Sequence, residues 1–303
     1  MQNKIEDQDH YNRLTSRAKE VLFLDKNERI ANAQKKSWIS YPRAQMILDE
    51  LEYLYHHERV ERMPNLAIIG DTNNGKTTIL NRFMEMHPSY SSIPSNIHPI
   101  IKIQAPISPS ESALYEKILD ALRTPYGTSF SASRKESQVH DILTDIKTKI
   151  LIVDELQDIF HGDKRQRNKF LTALKHLGNN LQISIIGAGV TPLQRVLSSD
   201  PQMANRFDTM KIPRWKYNKD FARLLLGLEK TLPLKEPSNL HHTEMLARIY
   251  DLSEGLIGEV TTILKKSTIF AIMHNKEKID LSILNSINFT KPSRRRDKIT
   301  YAT

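Results

Sequence analysis

A parallel α/β sheet with helices on its faces, followed by a small all-α domain, is the fold class this chain predicts. Three observations carry it. Short, near-continuous apolar runs alternate with amphipathic stretches over the first two thirds of the sequence. A glycine- and lysine-bearing turn follows the first of those runs, where a strand hands over to a helix. After about residue 217 the strand signals stop and only helical patterns remain.

Taken in order, residues 1–37 are polar and of mixed charge, with a weak apolar cluster at Val21, Leu22, Phe23 and Leu24. They read as a loosely attached arm with some helix. Pro42 opens a helical stretch with Ala44, Ile47, Leu48, Leu51 and Leu54 on one stripe. The runs 66–69, 100–103, 150–153 and 183–186 are of strand length and apolar throughout or nearly so, as in strands buried on both faces of a sheet. A fifth strand is expected near 209–213. Between the runs lie helical stripes: Leu114, Ile118, Leu119 and Leu122; Val139, Ile142, Leu143 and Ile146; Phe170, Leu171, Leu174 and Leu177. The first has Ser108-Pro109-Ser110-Glu111 ahead of it, which has the spacing of a capping box with Pro at the first helical position. Segments 218–232, 241–253, 257–274 and 280–288 read as helices, and the tail carries Lys291, Arg294, Arg295, Arg296 and Lys298. The expected division is an arm at 1–37, an α/β domain at 38–216, a helical domain at 217–290 and a flexible basic tail at 291–303.

Composition narrows the function. With 303 residues the chain is long enough for a sizeable core. It has no cysteine, which excludes disulfides, Fe–S clusters, thiolate zinc sites and a cysteine nucleophile. No apolar run approaches the roughly 18 residues of a membrane helix, and the start is too polar for a secretory signal. The expectation is a cytoplasmic, DNA-associated protein with no membrane partner. The net charge of +9 points to a polyanionic partner.

Only 10 residues are glycine, so each marks a place where the backbone bends or approaches something closely. Two of them frame Gly70-Asp71-Thr72-Asn73-Asn74-Gly75-Lys76-Thr77, which fits G-x-x-x-x-G-K-[ST] without mismatch. Such a loop turns backbone N–H groups and a helix N-terminus toward a phosphate. Lys76 is expected on the β- and γ-phosphates, Thr77 on Mg²⁺, and Thr78 in the same phosphate-facing turn. Downstream, the run 150–153 ends in Asp154-Glu155. Asp154 stands where a Mg²⁺ shell is held and Glu155 where a water is polarised for attack on a γ-phosphate. Adjacent acids favour ATP hydrolysis over a permanently bound nucleotide.

With these elements in place the chain resembles the AAA+ ATPases, and more closely the TniB/TnsC transposition regulators. Beyond the phosphate loop and Ile152-Val153-Asp154-Glu155, the family-like stretches are Trp38-Ile39-Ser40-Tyr41-Pro42-Arg43-Ala44-Gln45 and Ile185-Ile186-Gly187. The resemblance implies a five-stranded parallel sheet with a helical lid. It implies ATP- and Mg²⁺-dependent rings or helical oligomers of the chain on double-stranded DNA. These recruit a DDE transposase of the TniA/TnsB kind and read a TniQ-like target selector.

The resemblance also implies an arginine finger at Arg206, with Arg195 next in line, and an adenine contact at Tyr41 and Pro42. At the sensor position of the fourth strand this chain has Ala188 where relatives place Thr, with Thr191 as a substitute. Gly258 stands where other clades carry a lid arginine. DNA contacts are implied for the segment after the second strand, at Lys117, Arg123, Thr128, Ser131, Ser133, Arg134 and Lys135, where hydroxyls and cations suit backbone phosphates. A second basic run, Lys164-Arg165-Gln166-Arg167-Asn168-Lys169, is expected to face DNA or a neighbouring subunit. Two other readings stand beside this one: a helicase loader similar to the IstB/DnaC proteins, and a nucleotide-bound scaffold with negligible turnover.

Overall fold

The computed structural model describes residues 7–35, 38–92, 95–199 and 205–297. The chain divides into two compact units, residues 42–213 and a second made of residues 1–41 with 214–303.

In the first unit, helix α4 (Pro42–His56) buries the predicted stripe Ala44, Ile47, Leu48, Leu51 and Leu54. Strand β1 (Asn65–Gly70) follows, buried at every position, and leads into α5 (Lys76–Met86). A short hairpin, β2 (Tyr90–Ser92) with β3 (Ser95–Ile97), precedes β4 (Ile100–Gln104). Next come α6 (Glu111–Ala121), α7 (Ala132–Asp145) and β5 (Ile150–Asp154). A 3-10 turn (Leu156–His161), α8 (Lys164–Leu181), β6 (Ser184–Gly189), α9 (Thr191–Ser199) and β7 (Phe207–Ile212) complete the unit. The sheet is parallel throughout in the order β4-β5-β6-β1-β7. The four apolar runs and the fifth strand thus lie where the sequence puts them. Burial on both faces is what makes such strands apolar from end to end.

Two local expectations change. The cap of α6 is Ser110, whose hydroxyl accepts from the Ala113 N–H, so the helix starts two residues later than Pro109. A capping box does form, but at Asp163 and Gln166, at the head of α8.

The second unit is all helical. Helices α10 (Lys219–Glu229), α11 (Thr243–Ser253), α12 (Ile257–Met273) and α13 (Leu281–Ser286) bury Phe221, Leu225, Ile249, Val260, Ile263 and Ile283 in one core. Residues 7–41 belong to this unit, which corrects the loosely attached arm. Helices α1 (Gln8–Arg13), α2 (Ser16–Leu22) and α3 (Lys26–Gln34) pack there, and Ile30 and Ile39 join the core. Arg29 is buried and forks onto Glu277 at 2.9 and 2.6 Å while donating to the Pro233 carbonyl at 2.7 Å. The boundary falls between Pro213 and Arg214, with Trp38–Tyr41 on the helical side.

The head of the tail is also anchored. Helix α14 (Pro292–Asp297) is held by Arg295, which reaches buried Glu259 through two 2.7 Å bonds. Lys291 bonds Asp251, and the Ser293 hydroxyl bonds Glu254. Arg295 is therefore engaged within its own unit and is not a free basic arm. Lys298 and the rest of the tail, like residues 1–6 and 36–37 of the arm, lie outside the described residues.

Candidate nucleotide-binding site

In open parallel sheets ligands sit outside the carboxyl ends of the strands. Here β1 ends at Gly70 and β5 at Asp154, with β6 between them. The loop after β1 is shaped by two residues in the left-handed region, Asn73 (φ 60°) and Gly75 (φ 88°). Asparagine tolerates that region and glycine occupies it without penalty. Gly75 caps α5, whose first intrahelical bond runs from the Ile79 N–H to the Gly75 carbonyl. The N–H groups of Lys76, Thr77 and Thr78 therefore have no partner within the helix and supply an anion-binding turn.

Lys76, only 4% exposed, folds back into this loop. Its ammonium donates to the carbonyls of Gly70 (2.8 Å) and Asp71 (3.0 Å). Burial pulls its pKa below the ordinary 10.5, opposed by the charges of Glu155, Asp154 and Asp71. Asn74, 1% exposed, donates to the carbonyls of Ile212 (2.9 Å) and Pro213 (3.2 Å) and ties the loop to the end of β7. Its Oδ1 is buried with no partner. Thr72 and Thr78 are exposed.

The Thr77 hydroxyl donates to Asp154 Oδ2 at 2.9 Å. Asp154 is 5% exposed and also accepts from the Glu155 N–H on Oδ1 at 3.0 Å. A hydroxyl and a carboxylate at this separation are hard oxygen donors of the kind Mg²⁺ takes alongside water and phosphate, so the donor set fits that ion. The sequence reading missed Lys102 on the neighbouring strand β4. Its ammonium lies 3.0 Å from Asp154 Oδ2 and 2.9 Å from Asn81 Oδ1, offsetting the carboxylate's charge where a divalent ion is expected. Glu155 follows in the left-handed region (φ 51°). For a side chain without glycine's freedom that is a strained conformation of the kind that gathers at functional sites. Its carboxylate accepts from Gln157, a second residue the sequence reading did not single out.

The remaining expected residues are scattered. Arg206 stands at the amino end of β7, at the opposite edge of the sheet from Lys76 and Asp154. It donates to Asn179 at 2.5 Å. One chain therefore does not bring Arg206 to its own phosphate loop. Arg195 is exposed on α9, Thr191 is exposed at its start, and Ala188 is buried in β6. Gly258 lies in α12, its carbonyl accepting from Thr261 and Thr262. Pro42 begins α4, whereas the Tyr41 ring packs edge-on against Trp215 at 5.3 Å in the helical unit, and burial pushes its hydroxyl up to about 12.

Of the expected DNA contacts, Lys117, Arg123, Thr128 and Arg134 are exposed, with Arg134 stacked over the Phe130 ring at 3.8 Å. Lys135 is not available. It is 2% exposed, and its ammonium is spent on Glu116 (2.6 Å) and Ser112 (3.0 Å), joining α7 to α6. Ser131 is the cap of α7 and accepts from the Arg134 N–H. In the second basic run, Lys164, Arg165 and Lys169 are exposed on α8.

Comparison with known proteins shows what shares this fold. The ORC2 protein of Aeropyrum pernix, solved as ADPNP–ADP complexes, superposes with a TM-score of 0.62 at 16% identity, over 84% of this chain and 70% of that one. CDC6P from Pyrobaculum aerophilum gives 0.58 at 18% identity, over 84% and 68%. The Aeropyrum pernix ORC1 protein in complex with DNA gives 0.55 at 14% identity, over 92% and 68%. These likenesses are of fold, and the fold is that of the AAA+ ATPases. No curated protein matches the chain. Residues 29–217, more than half of the sequence, match the family described as bacterial TniB protein. On that match the chain, a P-loop protein of AAA+ fold, belongs to the TniB family.

Proposed function

We propose that this protein is an ATP-driven, DNA-binding regulator of DNA transposition. ATP binds through Lys76, Thr77 and the loop 70–78, and Asp154 with Thr77 holds Mg²⁺. The ion supplies charge neutralisation on the phosphates. Glu155 accepts the proton of the attacking water, and Arg206 reaches the γ-phosphate of a neighbouring copy. The ATP form assembles on duplex DNA, recruits a DDE transposase and meets a TniQ-like target selector; hydrolysis then disassembles it. The observation that carries the reading is the Thr77–Asp154 bond beside a lysine-filled loop, with a second carboxylate next in sequence. The place of Arg206 at the far edge of the sheet supports its use in trans. The nucleotide and the DNA held by two of the proteins of similar fold support the ligands.

Nucleotide-dependent assembly on duplex DNA, followed by electron microscopy with an ATP analogue, tests this. Lys76→Ala is expected to abolish assembly, and Glu155→Gln to trap long-lived assemblies. Assembly of both variants without ATP, like the parent, overturns the switch. Ala188 at the sensor position favours one other reading, a nucleotide-bound scaffold. An ATPase rate indistinguishable from zero with and without DNA selects it.

A further inference from the structure

Ala188 offers no polar side chain from β6, which leaves open what orients Glu155. Two glycines of β6 bear on this. A Cβ at Gly187 would lie 2.8 Å from Leu156, and one at Gly189 would lie 2.8 Å from Gln157 Oε1 and 2.6 Å from Leu193. The strand is pared back where the 3-10 turn after Glu155 packs against it. Into that space Gln157 places its amide, half-buried. Its Oε1 accepts from the Val190 N–H at 3.2 Å, and its Nε2 donates to Glu155 Oε2. The orientation is fixed by chemistry: a backbone N–H only donates and a carboxylate only accepts. A primary amide with one donor side and one acceptor side satisfies both, which a carboxylate or an apolar side chain in its place does not.

We infer that Gln157 is the positioning residue for Glu155, linking that carboxylate to the end of β6 and doing from the turn what a polar residue on the strand would otherwise do. The inference rests on the reading of the site as one that hydrolyses ATP. With one oxygen of Glu155 held by the amide, the other is left to face the water. The bond from Val190 registers the pair against the start of α9.

The test separates turnover from binding. Gln157→Met keeps the side chain's length and removes both hydrogen bonds. It is expected to lower kcat about tenfold to a hundredfold, the scale on which misplacement of a catalytic group is felt, with affinity for a fluorescent ATP analogue close to the parent's. Gly189→Ala, which crowds Oε1 as well as Leu193, is expected to lower kcat by a larger factor in the parent than in the Gln157→Met background, because part of its effect runs through the amide. A parental kcat in Gln157→Met overturns the inference, as does an equal loss of binding and turnover, since a residue that only holds the fold moves both. A parent that binds ATP but does not turn it over overturns the proposed hydrolysis and this inference with it.

Discussion

The two units bury charged groups to different ends. At the carboxyl edge of the α/β sheet, Lys76, Asp154 and Asn74 crowd together with a buried oxygen left unpartnered on Asn74 and an ammonium bonded to carbonyls of its own loop. In the helical unit each buried carboxylate is answered by donors from that unit. Glu229 accepts the N–H groups of Ser238, Asn239 and Leu240 at 2.8 to 2.9 Å, and Glu259 receives the Arg295 fork. Buried polar atoms without a partner occur in both units, at Ser267 and Thr268 as well as at Asn74, but that of Asn74 lines the phosphate loop, while the buried carboxylates Glu229 and Glu259 close a loop and hold α14. Burial alone thus says little about role; the state of the partners says more.

That contrast is sharpest if Glu229 is removed. Glu229→Ala takes the acceptor from three backbone donors, two of them, at Ser238 and Leu240, on buried residues, at about 1–3 kcal/mol for each one left buried and unpaired. The helical unit is expected to lose about 3 kcal/mol or more in chemical denaturation while the phosphate loop keeps its nucleotide affinity. Equal loss of both properties would erase the distinction between the units.

Lys135 is the exception within the α/β unit, a buried cation with a structural partner. Lys135→Ala is expected to cost about 1–2 kcal/mol of stability, less than a fully buried pair because Glu116 is partly exposed. It should leave the salt dependence of DNA binding unchanged. Arg134→Ala and Lys117→Ala are expected to do the reverse, leaving stability alone and each reducing the slope of log affinity against log salt by about 0.9 if it meets one phosphate. The smallest effect is one of pH. Burial works to raise the Glu277 pKa, but Arg29 and Lys235 outweigh it and hold the carboxyl below its ordinary 4.5. The stabilisation from this pair is therefore complete above that value and disappears as pH falls through the lower, folded pKa. Glu277→Gln should be less stable than the parent at neutral pH and converge with it in acid.

How legible each region was in the sequence follows from how local its cause is. Strands β1, β4, β5 and β6 declared themselves because burial leaves mostly apolar residues, whereas the polar β2–β3 hairpin did not. The phosphate loop did so because its glycines, lysine and threonine are consecutive. Asp154 and Glu155 were readable from the end of an apolar run. Lys102 and Gln157 were not, because what gives each a role is a strand distant in the sequence: β5 for Lys102 and the end of β6 for Gln157. Lys135 misled for the same reason; a lysine in a hydroxyl-rich stretch looks exposed until α6 brings Glu116 against it. The anchoring of α3 was hidden in the same way, since Arg29 meets Glu277 248 residues away.

That last pairing has a consequence for biosynthesis. Because residues 1–41 and 214–303 make one unit, the segment in between is an insertion that leaves the ribosome as a contiguous whole, after the first helices and before their partners. Domains gain structure as units during translation, so the sheet can close early, whereas α1 to α3 must wait, apolar faces uncovered, until the helices of residues 219–286 have followed it out. A nascent chain arrested just after β7 therefore carries a finished sheet and three helices whose own core has yet to be made.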